Sequence, residues 1–313
     1  MRHQELGGRH RALLFSQLAQ TEKAGLTAAD STRIMARSAE PCLRPRLELF
    51  REQLAAGSDI TRAGLDAGIF LPWEARLLQA AEASGKLAES YAGLARRHAN
   101  RTQRHNALKK GMTLPLALFV LAVLVVPLPA LMTGTIDIVR YLLNITTRLL
   151  LLFTALYALS RAWRRLGMAG ADNTLYRLLL RAPWLGRLVR RQQQYDFMSS
   201  LYLLLDAGLP AFDALRAAAG SVGHPSLRAQ FSNAEIMARR DASVTAALES
   251  CGILPSENAV SLVRAGEFSG RLSESINQVA SQLDEQIEMQ FSILTDWAPK
   301  LAYLAVVISV ILS

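Results

Sequence analysis

Two stretches of this chain place their hydrophobic residues at helical spacing, and three shorter segments are almost wholly apolar. Within residues 10–110 and 193–296, apolar side chains recur every three or four positions, which predicts amphipathic helices that bury one face. The alternation of apolar and polar residues that is typical of a half-buried strand does not occur convincingly outside the apolar segments. The pattern therefore predicts an all-α fold.

Glycine and proline residues divide each amphipathic stretch into about six helices. In the first stretch, the predicted helices cover residues 10–24, 27–40, 42–56, 59–67, 72–84 and 86–110. In the second stretch, they cover residues 193–207, 210–222, 225–238, 241–251, 255–268 and 271–295. Each stretch is then predicted to be a helical bundle with a core of Leu, Ala, Ile and Phe side chains.

The three apolar segments are candidates for membrane-spanning helices. Residues 111–132 carry no charge and, as a helix, would cross about 30 Å of hydrocarbon. Residues 141–160 are a weaker candidate because Arg148 lies within them, and residues 297–313 are barely long enough and have Lys300 near their start. We interpret both cations as side chains that reach the membrane interface; a functional charge inside the membrane is the alternative.

The distribution of charge predicts the topology. The chain has 35 Lys and Arg residues against 26 Asp and Glu residues, a net charge of +9. Cations flank the first two apolar segments, namely Arg96, Arg97, Arg101, Arg104, Lys109, Lys110, Arg161, Arg164 and Arg165, whereas residues 133–140 hold one acid and one base. The positive-inside rule then places both flanks in the cytoplasm and the short connection outside. Because topology explains much of the basic excess, and no RRM, KH or helix-turn-helix pattern accompanies it, nucleic-acid binding is not predicted.

Two further basic segments lie at the N-terminus and before the second bundle, and the first of them predicts a cytoplasmic N-terminus. Residues 1–11 are polar and basic and lack the apolar region of a cleaved signal peptide. The basic run Arg187, Arg190 and Arg191 is predicted to meet anionic lipid headgroups, with an acidic partner as the alternative. The predicted division of the chain is 1–110 first cytoplasmic helical bundle, 111–132 first transmembrane helix, 133–140 short external loop, 141–160 second transmembrane helix, 161–192 basic cytoplasmic linker, 193–296 second cytoplasmic helical bundle, and 297–313 third transmembrane helix.

The second bundle repeats the first. The sequence Lys23-Ala-Gly-Leu-Thr-Ala-Ala-Asp30 resembles Asp206-Ala-Gly-Leu-Pro-Ala-Phe-Asp213, and Ala81-Glu-Ala-Ser-Gly-Lys-Leu-Ala-Glu-Ser90 resembles Gly266-Glu-Phe-Ser-Gly-Arg-Leu-Ser-Glu-Ser275. Equivalent landmarks lie 183 to 185 residues apart and follow one another in the same order. Such a constant spacing predicts an internal duplication of one helical unit.

Each landmark has a local structural role. Gly25 and Gly208 are predicted to end a helix, because glycine adopts the left-handed conformation there without a Cβ penalty. Thr27 is predicted to cap the helix that follows. Three prolines are predicted to occupy the first turn of a helix, namely Pro72, Pro210 and Pro255. Gly85 and Gly270 are predicted to interrupt the helices that Pro72 and Pro255 open.

Glu82 and Glu267 are the most informative polar residues, since each precedes a Ser-Gly pair that breaks a helix. One interpretation is a contact surface for a partner, or a carboxylate that joins a metal at a subunit interface. The interpretation that we favour is a glutamate that bonds nearby backbone or a basic neighbour and stabilises a tight turn, because a carboxylate at a helix C-terminus opposes the helix dipole. The serines of the two pairs, Ser84 and Ser269, are predicted to form the turn.

No motif in the sequence predicts an enzyme. Ser84-Gly85-Lys86 resembles the end of a P-loop, but Leu87 replaces the required Ser or Thr, and no strand precedes it. The patterns G-x-G-x-x-G, H-E-x-x-H, G-x-S-x-G and C-x-x-C do not occur. Cys42 and Cys251 are interpreted as free thiols in a reducing compartment. We therefore predict no catalytic, cofactor-binding or metal-binding residue, including at His98 and His105, which share a helix face.

The repeated motifs resemble those of the GspF/PilC family, the inner-membrane platform proteins of type II secretion and type IV pilus machines. In the second copy the resemblance rests on Pro183 to Arg191, Phe197, the Ala207-Gly-Leu-Pro210 turn and Gly266-Glu-Phe-Ser-Gly270. In the first copy it rests on Phe15-Ser-Gln-Leu-Ala19, Ala24-Gly-Leu26 and Glu82-Ala-Ser-Gly85. It covers nearly the whole chain.

The resemblance implies a non-enzymatic scaffold in the bacterial inner membrane. It implies two cytoplasmic bundles, three spans, an external C-terminus and no cofactor. It also implies partners, which are a hexameric assembly ATPase, bitopic inner-membrane alignment proteins, a pilin or pseudopilin, and further copies of the chain. The expected function is to couple the ATPase to polymerisation of the pilin-like subunit.

Three departures from the family pattern leave an alternative open. The usual longer N-terminal extension is missing, Ala81 replaces the glycine before Glu82, and the last apolar segment stops early. A degenerate or truncated member of the family is therefore the alternative. From a different class, a small membrane transporter would need polar residues that converge inside several spans, and two isolated cations do not supply them.

Overall fold

The computed structural model describes residues 6–41, 43–125, 185–241 and 243–311, and isolated positions between 138 and 157. Throughout these residues the chain forms helices joined by short turns, and no strand occurs among them. The prediction of an all-α fold is confirmed.

Six helices precede the undescribed central segment, and their ends lie within a few residues of the predicted ones, except for the last. They are α1 Gly8–Lys23, α2 Ala28–Ser38, α3 Arg44–Ala55, α4 Ile60–Asp66, α5 Pro72–Ala83 and α6 Leu87–Val125. The prediction ended the sixth helix at residue 110, whereas α6 continues to Val125, because the first apolar segment is itself helical as far as it is described.

Six further helices follow in the same order. They are α7 Leu185–Asp206, α8 Ala211–Ala219, α9 Pro225–Asp241, α10 Val244–Ser250, α11 Glu257–Phe268 and α12 Leu272–Ile311. Two ends differ from the prediction by more than three residues, since α7 begins at Leu185 instead of 193, and α12 continues beyond 295 to Ile311.

Local signals explain where several helices begin. The Thr27 hydroxyl accepts a hydrogen bond from the Asp30 amide at 3.2 Å and caps α2, as predicted. Pro72 is the first residue of α5, where its missing N–H costs nothing. Pro210 is instead the residue before α8, and Pro255 lies two residues before α11, where the Ser256 side chain takes over the cap.

Glycines in the left-handed region explain where the repeated helices end. Gly25 and Gly208 have φ values of 74° and 91°. In both places the residue after the glycine donates its amide to a carbonyl of the last helical turn, as in Leu209 N to Leu204 O at 3.0 Å. The chain can therefore turn sharply into the next helix while the free carbonyls stay satisfied.

Helix contacts group the chain into two units. One unit comprises Met1–Gln103 with Arg187–Glu285, and the other comprises Arg104–Gly186 with Gln286–Ser313. We call the two parts of the first unit the first repeat (residues up to Gln103) and the second repeat (Arg187–Glu285). Both repeats therefore pack in one unit.

Each repeat has an aromatic core of its own. In the first repeat, the Phe15 ring stacks on Phe70 and Tyr91 with centroid distances of 5.9 and 6.3 Å, and Phe50 meets Phe70 edge-on at 5.7 Å. In the second repeat, Phe197 and Phe231 meet edge-on at 5.5 Å. The successive helices from the second to the fifth of each repeat also contact one another in the same sequence. The duplicated sequence thus produces a duplicated packing order.

Among the described residues, no helix has both the length and the apolar character that a membrane crossing requires. Several predicted features lie outside the described residues. They are 126–137, most of 141–160 including Arg148, 161–184, Leu312, Ser313 and Cys42.

Candidate functional site

Glu267 caps the N-terminus of a neighbouring helix, and we call this glutamate with its surroundings the Glu267 corner. Glu267 lies in the last turn of α11, and its carboxylate accepts hydrogen bonds from the Val244 amide at 2.6 Å and the Thr245 amide at 2.9 Å. The hydroxyls of Thr245 and Ser243 donate to the same carboxylate at 2.5 and 3.2 Å. Glu267 therefore satisfies the free amides at the start of α10 and ties α11 to it.

The same donors favour the charged form of this carboxylate. Burial of Glu267 opposes ionisation, but the hydroxyl and amide donors of Thr245, Val244 and Ser243 outweigh it, so the pKa of Glu267 lies below its ordinary value. A carboxylate that faces a helix N-terminus is also stabilised by the helix dipole. The contacts of Glu267 are thus structural.

The Glu82 corner of the first repeat has different neighbours. The pKa of the Glu82 carboxyl is raised, first by partial burial, then by the charge of Asp59 and a hydrogen bond with it, and then by the charge of Glu22. Asp59 is the N-cap residue of α4 and occupies the place that Ser243 has before α10, but its side chain makes no cap hydrogen bond. The first repeat therefore has acidic side chains around its glutamate, whereas the second repeat has hydrogen-bond donors around the equivalent glutamate.

The Ser-Gly pairs form equivalent turns in the two repeats. Gly85 and Gly270 have φ values of 73° and 72°. The Ser84 hydroxyl donates to the Ala81 carbonyl at 3.3 Å, and the Ser269 hydroxyl donates to the Ala265 carbonyl at 2.8 Å. These contacts end α5 and α11 in the same way, so the two glutamates differ in their surroundings and not in their backbone.

A buried ionic cluster lies inside the first repeat. Glu74 is 0% exposed, and its carboxylate accepts hydrogen bonds from the Arg11 guanidinium at 2.7 Å and the Leu71 amide at 2.8 Å. The Nε2 atom of His98 lies 2.8 Å from the other carboxylate oxygen. Arg11 and His98 are themselves buried, with exposed fractions of 5% and 7%. Three ionisable side chains from α1, α5 and α6 thus meet in the core.

Electrostatics assigns a charge to each member of this cluster. Burial opposes ionisation of Glu74, but the hydrogen bond with His98 and the charge of Arg11 outweigh it and hold the pKa of Glu74 below its ordinary value. Burial lowers the pKa of His98 more than Glu74 raises it. The cluster is therefore a carboxylate bound to a guanidinium and to a neutral imidazole that donates its Nε2 proton.

A second buried ion pair joins the two repeats. The Arg97 guanidinium lies 3.4 Å from an oxygen of Asp196, donates to the Ser200 hydroxyl, and lies over the Trp73 ring at 4.5 Å from its centroid. Arg97 is 8% exposed and Asp196 is 2% exposed. The second oxygen of Asp196 is buried without a hydrogen-bond partner. Arg97 of α6 thus connects α5 of the first repeat with α7 of the second.

Close packing surrounds this ion pair. A Cβ atom at Gly93 would lie 2.5 Å from a methyl group of Leu203, so α6 and α7 pack closely there and a larger residue would require the Leu203 side chain to move. Further along, the Lys86 ammonium donates to the Asp206 carbonyl at 2.9 Å. Near the other end, Asn100 donates to Asp284 at 3.4 Å. The interface between the repeats thus includes contacts of α6 with α7 and α12 and of α5 with α8, and the buried ion pair lies between the polar contacts of Lys86 and Asn100.

The described residues contain no group of three or more His, Cys, Asp and Glu side chains placed to hold a metal ion. Cys251 is a buried free thiol, and burial raises its pKa.

Sequence reasoning missed the buried charges. It counted Arg97 among the cations that flank a membrane segment, whereas the structure buries Arg97 against Trp73 and Asp196. It considered His98 only as a metal ligand, whereas the ring binds Glu74. One signal was present, since Glu74 and His98 lie on predicted helices at positions within the apolar stripe.

Comparison with known proteins identifies the family. A family model described as "Type II secretion system (T2SS), protein F" matches residues 14–134 and 197–313. The chain belongs to this family. The two matched stretches begin 183 residues apart, which is the spacing of the repeats.

Relatives of this T2SS protein F family member come from both kinds of machine. The chain is 25% identical to the Type II secretion system protein F of Pseudomonas aeruginosa, over 92% of this chain and 76% of that protein. It is 26% identical to the Type IV pilus assembly protein PilC of Thermus thermophilus, over 91% and 75%. It is 24% identical to the Type II secretion system protein F of Aeromonas hydrophila, over 90% and 78%. The resemblance to the GspF/PilC family is confirmed.

Proposed function

We propose that this chain is an inner-membrane platform scaffold that takes part in assembling type IV pili or the pseudopili of type II secretion. The observation that supports the proposal is the family match on both repeats, with relatives named for each kind of machine at similar identity. A scaffold acts through surfaces, and the described residues supply packed helical repeats with a tight interface between them. The proposal includes no catalytic step.

A deletion strain tests this function directly. The expected result is loss of surface pili or loss of secreted substrate protein, with recovery when the full-length chain is returned on a plasmid. Measuring both phenotypes in one strain distinguishes the two machines. A strain that keeps both activities would contradict the proposal, as would a purified chain that hydrolyses ATP by itself.

The proposed topology has three spans, at residues 111–132, 141–160 and 297–313. It is supported by the apolar segments and by the basic residues that flank the first two of them. The cytoplasmic side would then hold both repeats and the N-terminus. Reporters fused after Ser313 and within residues 167–173 test it, with an external signal expected at the first site and an internal one at the second. An internal signal at Ser313 would show that residues 297–313 do not cross the membrane.

The proposed partners are a hexameric assembly ATPase at the cytoplasmic repeats, bitopic alignment proteins, a pilin or pseudopilin, anionic lipids and further copies of this chain. The scaffold would transmit movement of the ATPase to the growing filament. The acidic corner at Glu82 is a suitable contact position, because its carboxylate does not serve as a helix cap. Co-purification of the ATPase with a tagged Glu82→Ala variant is expected to fall relative to the parent chain.

Two matched variants make this test specific. Glu89→Ala removes an exposed acid from α6 and should leave co-purification unchanged. Glu267→Ala removes a carboxylate that caps α10 and should act through stability. If the double variant Glu82→Ala, Glu267→Ala assembled filaments and retained the ATPase normally, neither corner would be a partner contact.

A further inference from the structure

The geometry of the Arg97–Asp196 ion pair between the repeats is unfavourable for stability. Arg97 and Asp196 meet through one nitrogen–oxygen contact of 3.4 Å instead of the two parallel bonds that an arginine and a carboxylate can form. The second Asp196 oxygen is buried and has no donor. Removing two charges from water is costly, and a buried pair recovers that cost only when its geometry is good and its remaining atoms are satisfied.

Other contacts already hold the repeats together. Gly93 allows α6 to approach Leu203 of α7 at van der Waals distance, and Gly220 similarly lies against the Trp73 side chain. These contacts are apolar and would remain if the buried charges were replaced by apolar side chains of similar volume. The repeats therefore also meet through apolar contacts that do not involve the ion pair.

The duplication shows that the pair belongs to the interface and not to the repeat fold. At the repeat spacing, Arg97 is equivalent to Gln282, and Asp196 is equivalent to Leu13. Gln282 is exposed, and Leu13 is 52% exposed. Each repeat thus folds without the charge that the other one carries, and the two charges occur only where the repeats meet.

Arg97 is also held firmly from its own side. Its guanidinium lies over the Trp73 ring, and the next residue, His98, is bound to the buried Glu74. The charge is therefore presented to the second repeat from a defined position. Only one placement of α7 brings Asp196 and Ser200 to it, because any other would leave a buried guanidinium without a partner.

We propose that the buried Arg97–Asp196 pair determines the relative orientation of the two repeats and adds nothing to the stability of their association. Apolar and glycine contacts, with the part-buried contacts of Lys86 and Asn100 at the ends of the interface, permit several packings of similar free energy, and a buried charge pair excludes all but one of them. The inference goes beyond the proposed function, since it concerns only the geometry of the repeats.

Distance measurement between the repeats tests this inference in the full-length chain. Spin labels are placed at the exposed positions Arg51 and Asn233, one in each repeat, after Cys42 and Cys251 are replaced by Ser and Ala. The parent is expected to give one narrow distance distribution. The variant Arg97→Met, Asp196→Leu is expected to give a broader distribution or several distances, with a melting temperature equal to or above that of the parent.

The single variants separate orientation from stability. Arg97→Met alone and Asp196→Leu alone each leave a buried charge unpaired, so each is expected to lower the melting temperature by about 10 °C. The surface pair Arg264–Glu249, with 3.5 Å between its charged atoms, provides the matched control. Replacing both of its members in the same way should change neither the distances nor the melting temperature.

Two results would overturn the inference. If the double variant keeps the single narrow distribution of the parent, the pair does not determine the orientation. If the double variant loses as much melting temperature as the single variants, or fails to fold, the pair is a stabilising element. Neither result depends on whether the chain serves a pilus or a secretion machine.

Discussion

In the first repeat, Glu74, the third residue of α5, is completely buried between Arg11 and His98, whereas the third residue of the equivalent helix α11 is the fully buried Ala259. The position equivalent to His98 holds Leu283, which is fully buried. The same helix arrangement therefore tolerates an ionic cluster in one copy and an apolar core in the other. Backbone geometry, which glycines and caps impose locally, does not dictate what the core is made of.

The surroundings of the two corner glutamates also differ, since they raise the pKa of Glu82 and lower the pKa of Glu267. Glu82 lies close to the acids Asp59 and Glu22, whereas Glu267 accepts hydrogen bonds from four donors around Ser243. The first repeat thus has an ionic cluster in its core and acidic neighbours at its corner glutamate, whereas the second repeat has Ala259 and Leu283 at the equivalent core positions and hydrogen-bond donors at its corner glutamate. Duplication preserved the fold, while the electrostatic role of each copy diverged.

The largest effect is expected from the buried cluster. Glu74→Ala leaves Arg11 buried without its carboxylate, so the free energy of unfolding should fall by about 3–5 kcal/mol. The control variant Glu257→Ala removes an exposed carboxylate from the first turn of α11 and should change it by about 0.5 kcal/mol or less. Thermal unfolding of the full-length chain measures both. Equal losses would show that the two positions are not distinguished by burial.

Effects of intermediate size on stability are expected at the two corner glutamates, with a loss for a substitution of Glu267 and a gain for a substitution of Glu82. Glu267→Gln replaces a carboxylate that accepts from four donors, so the free energy of unfolding should fall by about 1–2 kcal/mol. The same change at Glu82 removes a negative charge next to Asp59, and stability should rise slightly, by a few tenths of a kcal/mol, on the order of one like-charge surface contact. An equal loss of stability in both variants would show that the surroundings of the two glutamates do not differ in their effect on stability.

The smallest effect is a dependence on pH in the first repeat. The pKa of His98 is lowered from 6.5 in the folded chain, so the unfolded state binds more protons below that pH. Stability should therefore decrease as the pH falls from 7.5 to 5.5, by at most about 1.4 kcal/mol over this range. His98→Gln keeps a donor to Glu74 and should reduce this slope.

His224 requires a control in the same experiment, because burial lowers its pKa as well. His224→Gln should reduce the slope by a separate amount, and the double variant should have the smallest slope. A slope that His98→Gln leaves unchanged would mean that folding does not lower the pKa of His98.

Most of the helices could be predicted because their signals are local. Helical periodicity, the Thr27 cap and the glycines at 25 and 208 act over a few residues, and the structure places helix ends accordingly. Predictions weakened where a helix start depends on neighbours, as at Pro255, where the Ser256 cap displaced the start of α11 by two residues. The duplication was also readable, since two copies of one pattern confirm each other.

The chain by itself determined the repeat, the order of helices, the turns and the family, because each of these is encoded in spacing and in residues close along the chain. Only the tertiary structure decided which charges are buried. Arg97 resembles its basic neighbours in sequence, and its partner Asp196 lies 99 residues away. Whether a cation faces water, lipid or a carboxylate depends on which distant helix packs against it, and for the same reason Glu82 and Glu267 share a motif while their surroundings give them opposite pKa shifts.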